Sequence, residues 1–138
     1  MKTLTLPLKK KWFDMIKSGE KKEEYRECSD HWIRRFIKDF RTMSNFRFEM
    51  CFRGGKFLTD YLVSDVQDCL NCLDFDTLVF TLGYPKADDA ERRLEFKNPK
   101  IHIGTGRPEW GAEPSKQYFV ITWEEALVTE EQNIEARR

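Results

Sequence analysis

Long apolar runs are what this chain most lacks. Nowhere do the roughly 20 consecutive apolar residues needed to span a bilayer occur, so no membrane partner is expected. Met1-Lys2-Thr3 leads into a short alternating segment in place of a signal-peptide core. A soluble, cytoplasmic protein is the expectation. Net charge is missing too: 24 basic and 24 acidic residues cancel, which excludes a global field drawing the chain onto nucleic acid and leaves only local patches to do so. Low-complexity tracts and internal repeats are absent, and with them solenoids and linkers. No Walker loop, metal-binding motif or Ser-His-Asp order occurs, so no ready-made enzyme class offers itself and neither metal nor cofactor is expected.

Cysteine is sparse: Cys28, Cys51, Cys69 and Cys72. In an intracellular chain these read as thiols. Cys69-x-x-Cys72 would need two further ligands to hold zinc. Leu70 and Leu73 continue an apolar helical face with Leu62 and Val66, which places both thiols beside a core.

What is present is enough apolar material for one domain: 138 residues, 40% hydrophobic, with eleven Phe and four Trp. Met1 to Leu8 alternates as a strand. Lys9 to Ser18 carries Trp12, Phe13, Met15 and Ile16 at helical spacing and ends at Gly19, the residue suited to a left-handed cap. Ser29 or Asp30 starts a helix whose apolar face is Trp32, Ile33, Phe36, Ile37 and Phe40. Its other side carries Arg34, Arg35, Lys38 and Arg41, the candidates for phosphate contact. Phe46, Phe48, Met50 and Phe52 alternate as a strand, Gly54-Gly55 turns the chain into a hairpin through Phe57 to Val63, and a helix is predicted from about Ser64 to Leu73. Further strands are expected at Asp76 to Gly83, Arg93 to Lys97, Lys100 to Gly104 and Gln117 to Trp123, with Asn98-Pro99 as a break. The acidic tail from Glu124 reads as a helix or a frayed end. Six or seven strands with two or three helices imply an α+β fold, a small mixed β-barrel with flanking helices.

One segment does not fit an ordinary half-buried strand. In Gly19-Glu-Lys-Lys-Glu-Glu-Tyr-Arg26, extended geometry puts Lys22, Glu24 and Arg26 on one face and Lys21, Glu23 and Tyr25 on the other. Neither face is apolar. A charged edge strand is one reading; a strand lining a polar cleft is the other, with Lys21, which follows the helix cap closely enough to escape strict alternation, pointing into it beside Glu24, and Arg26 holding Glu24 or a phosphate. The glycine-rich stretch Gly104 to Pro114 adds Arg107, Glu109 and a stacking face at Trp110, and Tyr84 and Tyr25 are further stacking candidates.

Gly19-x-Lys21-x-x-Glu24-x-Arg26 resembles the signature of the ASCH domain, a small barrel of the PUA-like superfamily. The similarity extends to Leu4-Thr-Leu-Pro-Leu8, the helix through Trp12, Gly83-Tyr84, Glu109-Trp-Gly-Ala112 and Tyr118-Phe-Val-Ile121. It implies a single ASCH-like domain over 1–138, with 42–73 as a family-atypical insertion. It also implies a ligand, in the form of RNA, a nucleotide or a modified nucleoside, bound by Lys21, Glu24, Arg26, Tyr84, Arg107, Glu109 and Trp110. Some members of that family hydrolyse N4-acylcytidine using a lysine at the position matching Lys21 and a threonine at the position matching Glu24; others are described as ribonucleases. Here a carboxylate replaces the threonine, so a metal-independent hydrolase with Lys21 and Glu24 as catalytic residues would need Glu24 or Glu109 to activate water while Lys21 polarises the scissile carbonyl. An exposed patch of Phe57, Tyr61 and Leu62 would instead favour a protein-interaction module.

Overall fold

The alternating leucines of the first segment find a matching ladder far along the chain. In the computed structural model, which describes residues 2–36 and 52–124 except the side chains of Asp30 and Arg34, β1 (Thr3–Leu8) pairs in parallel with β5 (Thr77–Leu82). Leu4 lies opposite Leu78, Leu6 opposite Phe80 and Leu8 opposite Leu82. The remaining elements are α1 (Lys10–Lys17), β2 (Glu24–Glu27), α2 (Asp30–Phe36), β3 (Phe52–Arg53), β4 (Lys56–Phe57), α3 (Asp60–Asn71), β6 (Arg93–Thr105) and β7 (Gln117–Glu124). Hydrogen bonding orders the main sheet β1-β5-β6-β7-β2, and β3-β4 is a separate hairpin. The architecture is mixed α+β around a five-stranded sheet. None of the described helices is long and apolar enough to cross a membrane.

Two compact units share the chain. The first comprises 1–22, 74–99 and 122–138; the second comprises 23–73 and 100–121. In the first, β5 is covered on both faces, with Thr77, Leu78, Phe80 and Thr81 all buried, as befits a strand with a parallel neighbour. Phe13 and Ile16 of α1 are buried, and Phe80, Phe96 and Trp123 meet edge-on or tilted with ring centroids 5.1–6.0 Å apart.

α1 stops where glycine permits it. Gly19 has φ 84°, its N–H donates to the Ile16 carbonyl at 3.1 Å, and Ser18 is the C-cap that follows the last helical residue, Lys17. The Lys21 N–H then donates to the Met15 carbonyl at 3.0 Å. That bond holds Lys21 against the helix end, so the strand expected to begin there starts at Glu24.

The second unit pairs β2 antiparallel with β7, Tyr25 opposite Val120 and Arg26 opposite Phe119. Phe36 of α2 packs edge-on to Phe119 at 5.3 Å. Gly54 and Gly55, with φ 60° and 80°, make the two-residue turn of the β3–β4 hairpin. The second arm is shorter than expected: it ends at Phe57, because the Thr59 hydroxyl accepts the Leu62 N–H at 3.1 Å and caps α3 four residues before Ser64. Gln67 ties α3 to β6, donating to the Ile101 carbonyl at 3.1 Å and accepting the Ile103 N–H at 2.8 Å.

The expected break at Asn98-Pro99 does not divide β6. Asn98 takes the left-handed conformation, φ 51°, and its N–H donates to the Asp76 carbonyl at 3.0 Å, so the backbone absorbs the irregularity within one strand. The continuation of α2 through Ile37 and Phe40, the strand from Phe46 to Cys51 and the tail beyond Glu124 lie outside the described residues.

Gly106 is a point where only glycine fits. A Cβ there would stand 2.6 Å from the Ala112 Cβ and 2.6 Å from the Tyr25 Cζ. Gly106→Ala is expected to destabilise the fold by about 1–3 kcal/mol through overpacking, read as a lowered urea midpoint with an unchanged slope.

Candidate functional site

Charge burial singles out one stretch. Among the described residues the buried charged side chains are Lys21, 1% exposed, and Glu24, 6% exposed. Both belong to the segment that sequence had marked. They fall in different units, Lys21 at the end of the first and Glu24 at the start of the second.

Lys21 is positioned by its backbone bond to the end of α1, and its side chain runs back along that helix. Its Nζ lies over the Trp12 ring at 4.7 Å from the centroid. The Lys11 Nζ lies over the same ring, also at 4.7 Å. An indole face attracts a desolvated ammonium more strongly than a solvated one. Helical spacing alone makes Trp12 part of an apolar stripe. Phe13 and Ile16 are the centre of that stripe and are buried, whereas Trp12 is only half-buried.

Glu24 and Arg26 share a strand face, since they are two residues apart in β2. Arg26 donates from Nη2 to the Glu24 Oε2 at 3.3 Å, and the Tyr25 N–H donates to Oε1 at 3.0 Å, so both carboxylate oxygens are engaged. The Arg26 guanidinium sits 5.0 Å from the Trp32 ring centroid, and Trp32 in turn stacks on Phe36 at 5.4 Å. A carboxylate on one side and an indole on the other hold the guanidinium. The role of Trp32 was not legible, because it depends on how α2 packs beside β2.

The glycine-rich stretch forms a second cluster. Residues 108–110 make one 3₁₀ turn closed by Gly111, φ 101°. Arg107 lies over the half-buried Trp110 ring at 4.7 Å and 3.7 Å from the exposed Glu109 carboxylate. The Tyr25 hydroxyl donates to Glu23 at 2.9 Å and accepts the Arg107 N–H at 3.0 Å, anchoring the loop to β2. Tyr25, Ala112, Tyr118 and Val120 form the packing beneath. Tyr84 belongs to the first unit and is 93% exposed. Of the basic helix candidates, Arg35 is exposed, the Arg34 side chain is not among those described, and Lys38 and Arg41 lie outside the described residues. Phe57 is buried, so it forms no exposed patch with Tyr61, which is 73% exposed, and the half-buried Leu62. No group of three or more His, Cys, Asp or Glu side chains suited to a metal ion occurs among the described residues.

Two groups in the second unit bear on alkaline stability. Burial pushes the Cys28 thiol up from an ordinary 9.0 to about 12, against the partial opposition of Lys116. Burial also raises the Tyr25 hydroxyl from 10.0 to about 12, with the Arg107 N–H working the other way and Glu23 reinforcing it. Both groups fold in their protonated forms. Their contribution is full below the unfolded values and is lost as pH rises through the folded ones. Thermal stability is therefore expected to fall between about pH 9 and pH 12, and Cys28→Ala is expected to shallow the lower part of that decline, as melting temperatures across the range would show.

Compared with models of known families, with curated proteins and with solved structures, the chain finds no match in any of the three.

Proposed function

We propose that this protein is an ASCH-like, PUA-like module that binds a nucleobase-bearing ligand, either a nucleotide, a modified nucleoside or single-stranded RNA, through the segment Lys21–Arg26. The observation that carries the reading is a coincidence. The buried charges of the described residues, Lys21 and Glu24, fall within the very stretch whose spacing resembles the ASCH signature. Burying a charge costs several kcal/mol that pairing has to offset, and here the Glu24 carboxylate is held by Arg26 and the Tyr25 N–H while the Lys21 ammonium lies over Trp12, so each group is kept charged and fixed in place.

The chemistry suits a base edge. An ammonium donates to a ring carbonyl or a phosphate, and a fixed carboxylate accepts from an exocyclic amine. The Arg107–Trp110 pair offers a planar cation and an indole for stacking. At 1% exposure Lys21 meets a ligand only when neighbouring side chains yield, so binding includes a conformational step.

Salt dependence separates the ligand classes. Only a polyanion releases counterions, so affinity for single-stranded RNA is expected to fall with a slope of about −0.7 per phosphate engaged, and a free nucleoside is expected to show almost none. With zero net charge the slope for RNA is expected to be shallow, and neutralising Arg34 and Arg35 to flatten it. Saturable binding of a nucleoside together with undetectable RNA binding at low salt would confine the function to small molecules. Failure of every nucleobase-bearing ligand to bind would overturn the proposal.

A further inference from the structure

The last turn of α3 carries two thiols that the nucleobase-binding reading does not use. Cys69 lies inside the helix and is half-buried; Cys72 is its C-terminal cap and is exposed. Neither is in a disulfide. The end of the helix is tightened: the Cys72 N–H donates to the Cys69 carbonyl at 3.2 Å and the Leu73 N–H to the Leu70 carbonyl at 3.1 Å. These are bonds of the 3₁₀ kind, and in that geometry side chains three apart eclipse one another instead of fanning out. Three residues with a rise between about 1.5 Å in the α-helix and about 2.0 Å in the tightened turn place the two Cα atoms about 5–6 Å apart, within the range of about 4.4–6.8 Å that a disulfide bridges without backbone movement.

We infer that Cys69 and Cys72 form a reversible dithiol–disulfide pair that exchanges with small-molecule disulfides such as oxidised glutathione. Cys72, being exposed, is the sulfur that reacts first. Its thiolate attacks one sulfur of the incoming disulfide and expels one thiolate, leaving a mixed disulfide on Cys72. The Cys69 thiol then loses its proton and attacks the Cys72 sulfur, expelling the second thiolate. Two protein thiols are oxidised by two electrons, and one small disulfide is reduced to two thiols. Closure is favoured because the second step is intramolecular between eclipsed positions.

Among the described cysteines, the surroundings favour this pair. A zinc site would need further ligands, and no cluster of three ligating groups stands among the described residues. Cys28 is buried, and its burial disfavours the thiolate that exchange requires. One turn back, Gln67 bonds Ile101 and Ile103 of β6, so the helix supporting the pair is fixed and only its final turn has to adjust.

Tryptic cleavage after Lys56 and Lys86 isolates both cysteines, with no third, on the peptide 57–86. After incubation of the folded full chain with excess oxidised glutathione at about pH 8, blocking with an alkylating agent and non-reducing digestion, that peptide is expected to carry no alkyl group, to be two hydrogens lighter and to bear no glutathione. Excess reduced glutathione is expected to restore two alkylatable thiols. Cys69→Ser is expected to trap a glutathione adduct on Cys72, and Cys72→Ser to slow modification of Cys69 at least tenfold. A stable adduct on Cys72 in the unaltered chain would overturn the inference, as would two thiols still alkylated at equilibrium or a bridge from either cysteine to Cys28 or Cys51. These readouts need no nucleobase ligand, so their outcome is independent of the binding function.

Discussion

Lys21→Ala is expected to lose both ligand binding and stability, whereas Lys21→Met is expected to lose binding to the same degree while keeping more of the stability than alanine does. The difference follows from burial. With 1% of Lys21 exposed and its Nζ over the Trp12 ring, truncation to alanine removes three buried methylenes and leaves a cavity, at a cost of about 2–5 kcal/mol. Methionine fills nearly the same volume and stays in contact with the indole. Both variants remove the ammonium. A hydrogen bond from a charged donor contributes about 1.5–3 kcal/mol, so affinity is expected to drop about 10- to 100-fold in either. Equal losses of binding and of stability across the two variants would assign Lys21 to packing alone. The comparison needs urea titration beside a binding isotherm, and Met is the informative variant because it keeps the apolar packing that alanine loses.

The second large effect lies in β2. Glu24→Ala is expected to cost about 3–5 kcal/mol, because it leaves the Arg26 guanidinium, whose side chain is 17% exposed, without its carboxylate in a largely desolvated place. The cation–π contact with Trp32 is weaker than the charge-assisted bond that is lost. Pairing Glu24→Ala with Arg26→Met removes both charges and is expected to recover part of the loss, giving a coupling energy of about 1–3 kcal/mol in a double-mutant cycle. Strict additivity would mean that the pair seen at 3.3 Å contributes nothing specific.

How far these sites were legible differs from residue to residue. The ladder of Leu4, Leu6 and Leu8 follows from period-two alternation, and the end of α1 follows from Gly19, whose left-handed φ of 84° an L-residue adopts only at a cost. Asn98 misled: Asn-Pro ordinarily interrupts a strand, but asparagine tolerates the left-handed region, and β6 passes through it. The start of α3 was signalled by Thr59-Asp60, a cap followed by an acidic first turn, yet the apolar spacing drew attention to the helix's later half.

At the candidate site, the charge pattern picked out Lys21, Glu24 and Arg26, because two charged faces are incompatible with an ordinary half-buried strand. Alternation then assigned Lys21 to the face opposite Glu24 and Arg26. Its place just after the helix cap exempts Lys21 from that rule, and the Lys21 N–H is indeed bonded to Met15 and the residue is not part of β2. The aromatic partners were beyond reach of pattern reasoning. Trp12 sits at the flank of its helical stripe, and Trp32 meets Arg26 only through tertiary packing. The Arg107–Trp110 contact was nearer to hand, since both residues lie in one short glycine-bounded turn.

The most direct test of nucleobase recognition by this segment is to follow backbone amide resonances while titrating the folded chain with ribonucleoside monophosphates and a short single-stranded RNA. Saturable shifts concentrated on the amides of Lys21 to Arg26, and absent from the same titration of Lys21→Met, are the predicted result. Saturable shifts centred on other elements, or a Lys21→Met spectrum that responds like the unaltered chain, would contradict it.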